Sequence, residues 1–169
     1  MKPRQSIFSP KGAGMRSLGI VLAAIGLYIA AYFTLVYYGV LDAGTRLMPR
    51  VCRLEERTCQ TVLSSRFARV FGVPNSLLGV LYYGTVIVLL STGWINAPGG
   101  MFISLRGVGY GVELSVVVVI VAWFTVALGA FLAYSLFFII KIPCPLCLAA
   151  HTINLALAVL LTLLNCNPR

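Results

Sequence analysis

The sequence predicts an all-α integral membrane protein, a four-helix bundle with a capping first loop, and three observations carry that expectation. Of 169 residues, 60% are hydrophobic and only 10% charged, and the mean hydropathy of +0.96 lies far above that of water-soluble domains. Four apolar stretches are long enough to cross a hydrocarbon core of about 30 Å, which takes roughly 20 residues as helix. The longest segment between them, residues 42–75, is too short for a water-soluble domain. Residues 1–169 are therefore expected to form a single membrane domain.

The first span, Ser17 to Leu41, follows a basic tail (Lys2, Arg4, Lys11, Arg16). It begins like a secretory signal, but its apolar core is about twice the usual length and no small-residue cleavage site follows, so it reads as a retained helix. Residues 42–75 form the loop with room for chemistry. Within it Thr61 to Phe71, TVLSSRFARVF, sets Val62, Phe67, Val70 and Phe71 among arginines and serines, the pattern of a short amphipathic helix on the membrane surface. The second span runs from Ser76 to Ile95. The glycine-rich stretch NAPGGMFISLRGVGYGVE reads as a plain connection to the third span, Leu114 to Ile140. Only Lys141, Ile142 and Pro143 then precede Cys144, so the third and fourth spans must be antiparallel neighbours. Pro145 suits the first turn of the fourth span, Pro145 to Leu164, where its missing N–H costs nothing. That puts Cys144 near the N-cap and Cys147 in the first turn.

The formal net charge is +9, yet the basic residues flank the spans, where anionic lipid headgroups are their partners. Nucleic-acid binding is not expected on that ground. Lys and Arg near span ends normally orient a bundle. Here the two sides carry six and seven of them, so charge leaves the orientation open.

The chemistry-bearing feature is the stretch IPCPLCLAAH at residues 142–151. Cys144 and Cys147 form a Cys-x-x-Cys pair at a helix start, where unpaired N–H groups and the positive dipole end favour thiolate, the reactive form. The spacing brings the two Cα atoms to about 5–6 Å, within disulfide range. Cys52 and Cys59 lie in the first loop, roughly 10 Å apart if their segment were straight helix, so pairing them requires residues 53–58 to bend. First and third connections of a four-span bundle share one side, so both pairs face one compartment. Cys166 lies about 30 Å away by helical rise and reads as a spare thiol. His151, the one histidine, follows Cys147 by four residues and Cys144 by seven, which places all three along one helical stripe. Beside redox thiols it could donate a hydrogen bond or proton to an acceptor. A zinc site would put both cysteine pairs at short spacing, whereas Cys52 and Cys59 are seven apart and the proline-flanked membrane pair is a poor cage, so no metal is expected. Two static disulfides are the blander alternative; a dithiol relay is preferred, with the loop pair feeding the membrane pair. At membrane depth, with no dinucleotide-binding fingerprint in the chain, the acceptor that fits is a lipid-soluble quinone.

Two blocks carry a family resemblance: Cys52 through Tyr83, CRLEERTCQTVLSSRFARVFGVPNSLLGVLYY, and the CPLC of residues 144–147. A loop cysteine pair, then Ser-Ser-Arg-aromatic-x-Arg-x-Phe-Gly, then Asn-Ser before the second span, is an order specific enough that the chain resembles the vitamin K epoxide reductase family. The resemblance implies a quinone held within the bundle and electrons passing from a thioredoxin-like partner to Cys52 and Cys59, then to Cys144 and Cys147. By the same resemblance Cys59 is taken as the partner of Cys144, Cys147 faces the quinone ring, Asn75 hydrogen-bonds a quinone oxygen, and Ser65 steadies the capping loop. It also implies an active site on the extracytoplasmic face. Vertebrate members carry tyrosine where this chain has His151, which points away from vitamin K epoxide and towards a respiratory quinone used by a prokaryotic relative. The sequence ends at Arg169 without the fused thioredoxin-like domain of some relatives, so the thiol partner is expected in trans.

Two other readings compete. A second family of quinone-linked, disulfide-forming membrane enzymes also has four spans and two cysteine pairs, but its short-spaced pair comes first, the reverse of the order here. A non-catalytic transporter would use an intramembrane acid, and Glu113, at the head of the third span, is the candidate.

Overall fold

The computed structural model describes residues 10–41, 69–70, 72–93, 102–104, 111–141 and 144–166. Within them are four helices long and apolar enough to cross a membrane: α1 (Pro10–Tyr37), α2 (Asn75–Thr92), α3 (Leu114–Tyr134) and α4 (Pro145–Cys166). Each falls on an expected span, and the differences lie at the ends.

Those ends follow from local chemistry. α1 stops four residues short of Leu41 because Gly39 adopts a left-handed φ of 70°. There the Val40 N–H donates to the Leu35 carbonyl at 2.9 Å and the Gly39 N–H to that of Val36 at 3.1 Å, the paired bonds of a glycine-terminated helix. Gly93, at φ 74°, ends α2 at Thr92 rather than Ile95 in the same conformation. The third span continues beyond α3 as a π-helix, Ser135–Ile140, closed by Lys141 in the left-handed region, so its overall extent is as expected while its last turns are wider. α4 starts at Pro145 as its missing N–H predicts. The Leu148 N–H donates to the Cys144 carbonyl at 3.1 Å, which makes Cys144 the N-cap.

Two short antiparallel ladders accompany the helices. β1 (Arg69–Val70) pairs with β2 (Val73–Pro74), and β2 leads directly into α2. The amphipathic helix expected over 61–71 lies outside the described residues except at 69 and 70, which are strand. The second connection contains a hairpin, β3 (Phe102–Ser104) against β4 (Gly111–Glu113), with Phe102 opposite Glu113. Its glycines masked the strand signal, since glycine has low β propensity.

α1 packs on both α2 and α4, and α3 packs on α4. α1 is accordingly the most enclosed span and α3 the least. Between α1, α2 and α4 lies a core containing Ala23, Tyr83, Val86, Leu157 and Leu161. The helices close in where α1 has no side chain: a Cβ at Gly26 would overlap the Tyr83 ring. Outward faces carry Leu81, Val88, Ile120, Phe124 and Leu163, which in a bilayer meet acyl chains at no cost. Most serine and threonine hydroxyls described on the spans bond back along their own helices, as Thr34 does to the Ala30 carbonyl at 2.8 Å and Thr162 to that of Ala158 at 2.7 Å. Lipid offers no partner for them.

Candidate functional site

α3 leans on α4 and hardly touches α2. Between α2 and α3 a cavity of about 610 Å³ opens, floored by α1 and α4. Along α2 it reaches from Asn75 to Leu89, about 20 Å at the helical rise of 1.5 Å per residue. Its rim includes Leu81 and Phe124, each 62% exposed, so the opening faces the bilayer laterally. Most of the lining is apolar. Of the polar lining residues, Asn75, Ser76, Cys147 and His151 lie where α2 and α4 begin, at the end of the bundle shared by the first and third connections, while Tyr82, Tyr83, Thr85, Thr125 and Asn154 lie deeper.

Three residues expected at a common site therefore line one cavity: Asn75 at the start of α2, and Cys147 and His151 on successive turns of α4. The fourth does not. As the N-cap, Cys144 is only half within the helix, and it does not line the cavity. It is completely buried in a separate cluster with Ile29, Tyr32, Phe33 and Leu136. Ile29, Phe33 and Leu136 also line the cavity and so partition it from Cys144. The π-helical turn supplies Leu136 to that partition. Cys147 lines the cavity and also packs against the cluster that holds Cys144, so the two cysteines remain neighbours, one fully buried and one at the cavity. Cys52, Cys59 and Ser65 lie outside the described residues.

The cavity has unused hydrogen-bonding capacity. Ser76 Oγ and the Tyr82 hydroxyl are buried and have no hydrogen-bond partner among the described residues; His151 Nδ1 is likewise unpartnered but lies against Gly129 of α3. Such groups cost free energy away from water unless something bonds them. A small molecule with an apolar body and a few oxygens at one end fits both the volume and this distribution, which are those of a ligand pocket. A quinone has that form, so the residues present suit one: Asn75 and His151 carry donors that would hold its oxygens, and the apolar lining beyond would take a tail.

Several lining residues were not singled out from the sequence. Tyr83 crosses from α2 to α4, its hydroxyl donating to Asn154 Oδ1 at 2.6 Å and lying 3.3 Å from the Ala150 carbonyl. Both acceptors belong to the helix that carries Cys147 and His151, so this bond ties α2 to the functional face of α4. Asn154 follows His151 by three residues and Cys147 by seven; a polar side chain on that stripe of an apolar span was the available signal. Gly129 of α3 is buried against the His151 ring, and nothing in its sequence context marks it.

No curated protein matches the chain. A family model, the vitamin K epoxide reductase family, matches residues 18–162, a stretch that includes most of each of the four spans and every residue expected at the site. The chain is thus a multi-pass membrane protein and belongs to the vitamin K epoxide reductase family, whose members are oxidoreductases of thiol–disulfide and quinone chemistry.

Proposed function

We propose that this protein oxidises the dithiol of a thioredoxin-like partner in trans and delivers the electrons to a membrane quinone, so generating protein disulfides. The observation that carries the reading is that Asn75, Cys147 and His151 line one laterally open apolar cavity, with Cys144 buried beside Cys147. A soluble nicotinamide has no route to such a place.

The electron path is a chain of thiol–disulfide exchanges. The partner dithiol becomes a disulfide as it reduces a Cys52–Cys59 disulfide. Cys59 thiolate then attacks Cys144 Sγ, breaking a Cys144–Cys147 disulfide and releasing Cys147 as thiolate. Cys52 resolves the Cys59–Cys144 bond, leaving the loop pair oxidised and the membrane pair reduced. When bound, a quinone supplies a two-electron, two-proton acceptor beside Cys147. Closure of Cys144 on Cys147 restores the disulfide, and the net change is partner dithiol plus quinone to partner disulfide plus hydroquinone. Asn75 and His151 orient the acceptor through its oxygens, Ser65 supports the loop that delivers the electrons, and the α4 N-terminus stabilises Cys147 thiolate. The thiols act on the extracytoplasmic side, where new disulfides persist.

The test is direct. Purified protein in lipid, given a reduced thioredoxin-like protein and a short-tailed benzoquinone, should form hydroquinone and partner disulfide in equal amounts. Cys147→Ala should reduce that rate by at least about 1,000-fold, as loss of a reacting group does. Undiminished quinone reduction in that variant would refute the reading.

A further inference from the structure

We infer that Gly129 is a positioning residue that sets the orientation, and through it the tautomer, of His151, so that the imidazole offers its Nε2–H to the cavity. The inference rests on the quinone reading for its functional half only; its structural half stands on packing.

The ring of His151 lies against the backbone of α3. A Cβ at position 129 would come within 2.7 Å of Nδ1, 3.2 Å of Cγ and 3.5 Å of Cβ of the histidine. The first distance is closer than side chains tolerate, so any residue larger than glycine must displace the ring. The same contact buries Nδ1, which has no hydrogen-bond partner among the described residues. A neutral imidazole carries one proton, on one nitrogen, while the other is an acceptor. Placing the proton on Nδ1 would press an N–H against a glycine Cα with nothing to receive it, whereas a bare lone pair there forfeits less. Nε2 therefore takes the proton. His151 lines the cavity, and the ring edge turned away from Gly129 is the edge that carries Nε2. The donor capacity of the ring is thus directed to where an acceptor oxygen would lie, with no second carboxylate or carbonyl holding the tautomer, as other histidine sites use. α3 does it by close approach.

Because His151 is the one histidine of the chain, its ring nitrogens can be read without interference in untagged protein labelled at histidine. Nitrogen NMR should show a protonated Nε2 and an unprotonated Nδ1, without any quinone present. A protonated Nδ1, or an averaged mixture, overturns the inference. Its functional half is tested by a double-mutant cycle with the short-tailed benzoquinone. Gly129→Ala should raise KM or lower kcat about tenfold, an effect of the size of one misplaced hydrogen bond. In a His151→Ala background, where the clash is gone, the same substitution should change the rate less than about twofold, the scatter expected of independent sites. An equal loss in both backgrounds overturns the positioning role. If Gly129→Ala alone does not accumulate in the membrane, recovery in the double variant supports the clash with the ring, and continued failure overturns it. Should His151→Ala leave kcat and KM unchanged, the role of His151 at the quinone fails and the functional half with it, while the spectrum still decides the orientation.

Discussion

The two seams that α2 makes with its neighbours are built to opposite ends. Towards α1 and α4 it is closed: Tyr83 is 3% exposed, its ring lies over the space left by Gly26, and its hydroxyl reaches Asn154 on α4. Towards α3 it is open, and the cavity fills the gap. The same helix therefore anchors the bundle on one face and forms a binding wall on the other. In water an unfilled apolar seam of this size would be a defect, because exposed apolar area is costly. In a bilayer the outer edge of the seam is already solvated by acyl chains. Packing is then needed only where it holds functional groups in place, and the open side remains available to a lipid-soluble molecule.

Substitutions on the two seams should separate activity from stability. The largest effect is expected at the polar end of the open seam. Asn75→Ala should lower quinone turnover about 10-fold to 100-fold, since a hydrogen bond to a group gaining charge is worth about 1.5–3 kcal/mol, while thermal stability stays near that of the parent. Equal losses of both would mean that Asn75 is merely structural. Next comes the closed seam, where Gly26→Ala should destabilise the bundle by about 1–3 kcal/mol, the range for overpacking, seen as a lower midpoint in detergent denaturation. An unchanged midpoint would show that α1 and α2 are not tightly joined. Val121→Trp, on the exposed rim of α3 and in the cavity lining, should raise KM for long-tailed quinones by up to about tenfold at little cost in stability, as for surface substitutions generally. A rise in KM equal for tail-less quinones would place the obstruction at the ring instead. The smallest effect belongs to Tyr83→Phe, about 0.6–1 kcal/mol of stability for one interhelical hydrogen bond, with an accompanying loss of turnover only if α4 shifts.

How legible these features were in the sequence depends on the range of the interaction. Lipid permits few spanning structures, so composition and segment length were enough for the four helices, and Pro145 for the start of α4. Gly39 and Gly93 were legible terminators too, but the apolar runs pass through them, and span length read by hydropathy alone overshot at both. The π-helical end of the third span comes from how its residues pack, with Ser135 and Leu136 buried, and no periodicity announces it. At the site, the Cys-x-x-Cys pair and its helical stripe pointed to Cys147 and His151, and the family resemblance to Asn75; the structure brings all three to one cavity. Cys144 does not line that cavity but lies buried beside Cys147, a depth that helical spacing does not specify at an N-cap. Tyr83 with Asn154, and Gly129 with His151, are partnerships between helices; one sequence read along its length contains the members but not the pairing.

The division of labour between Cys144 and Cys147 is the centre of this account, and trapping the exchange tests it most directly. In a Cys147→Ser variant oxidised in native membranes, peptide mass spectrometry should find Cys144 joined to a first-loop cysteine, Cys59 before Cys52. In Cys144→Ser the corresponding adduct at Cys147 should be absent, because Cys147 belongs to the cavity wall. A loop adduct at Cys147, or none at Cys144, would contradict the account.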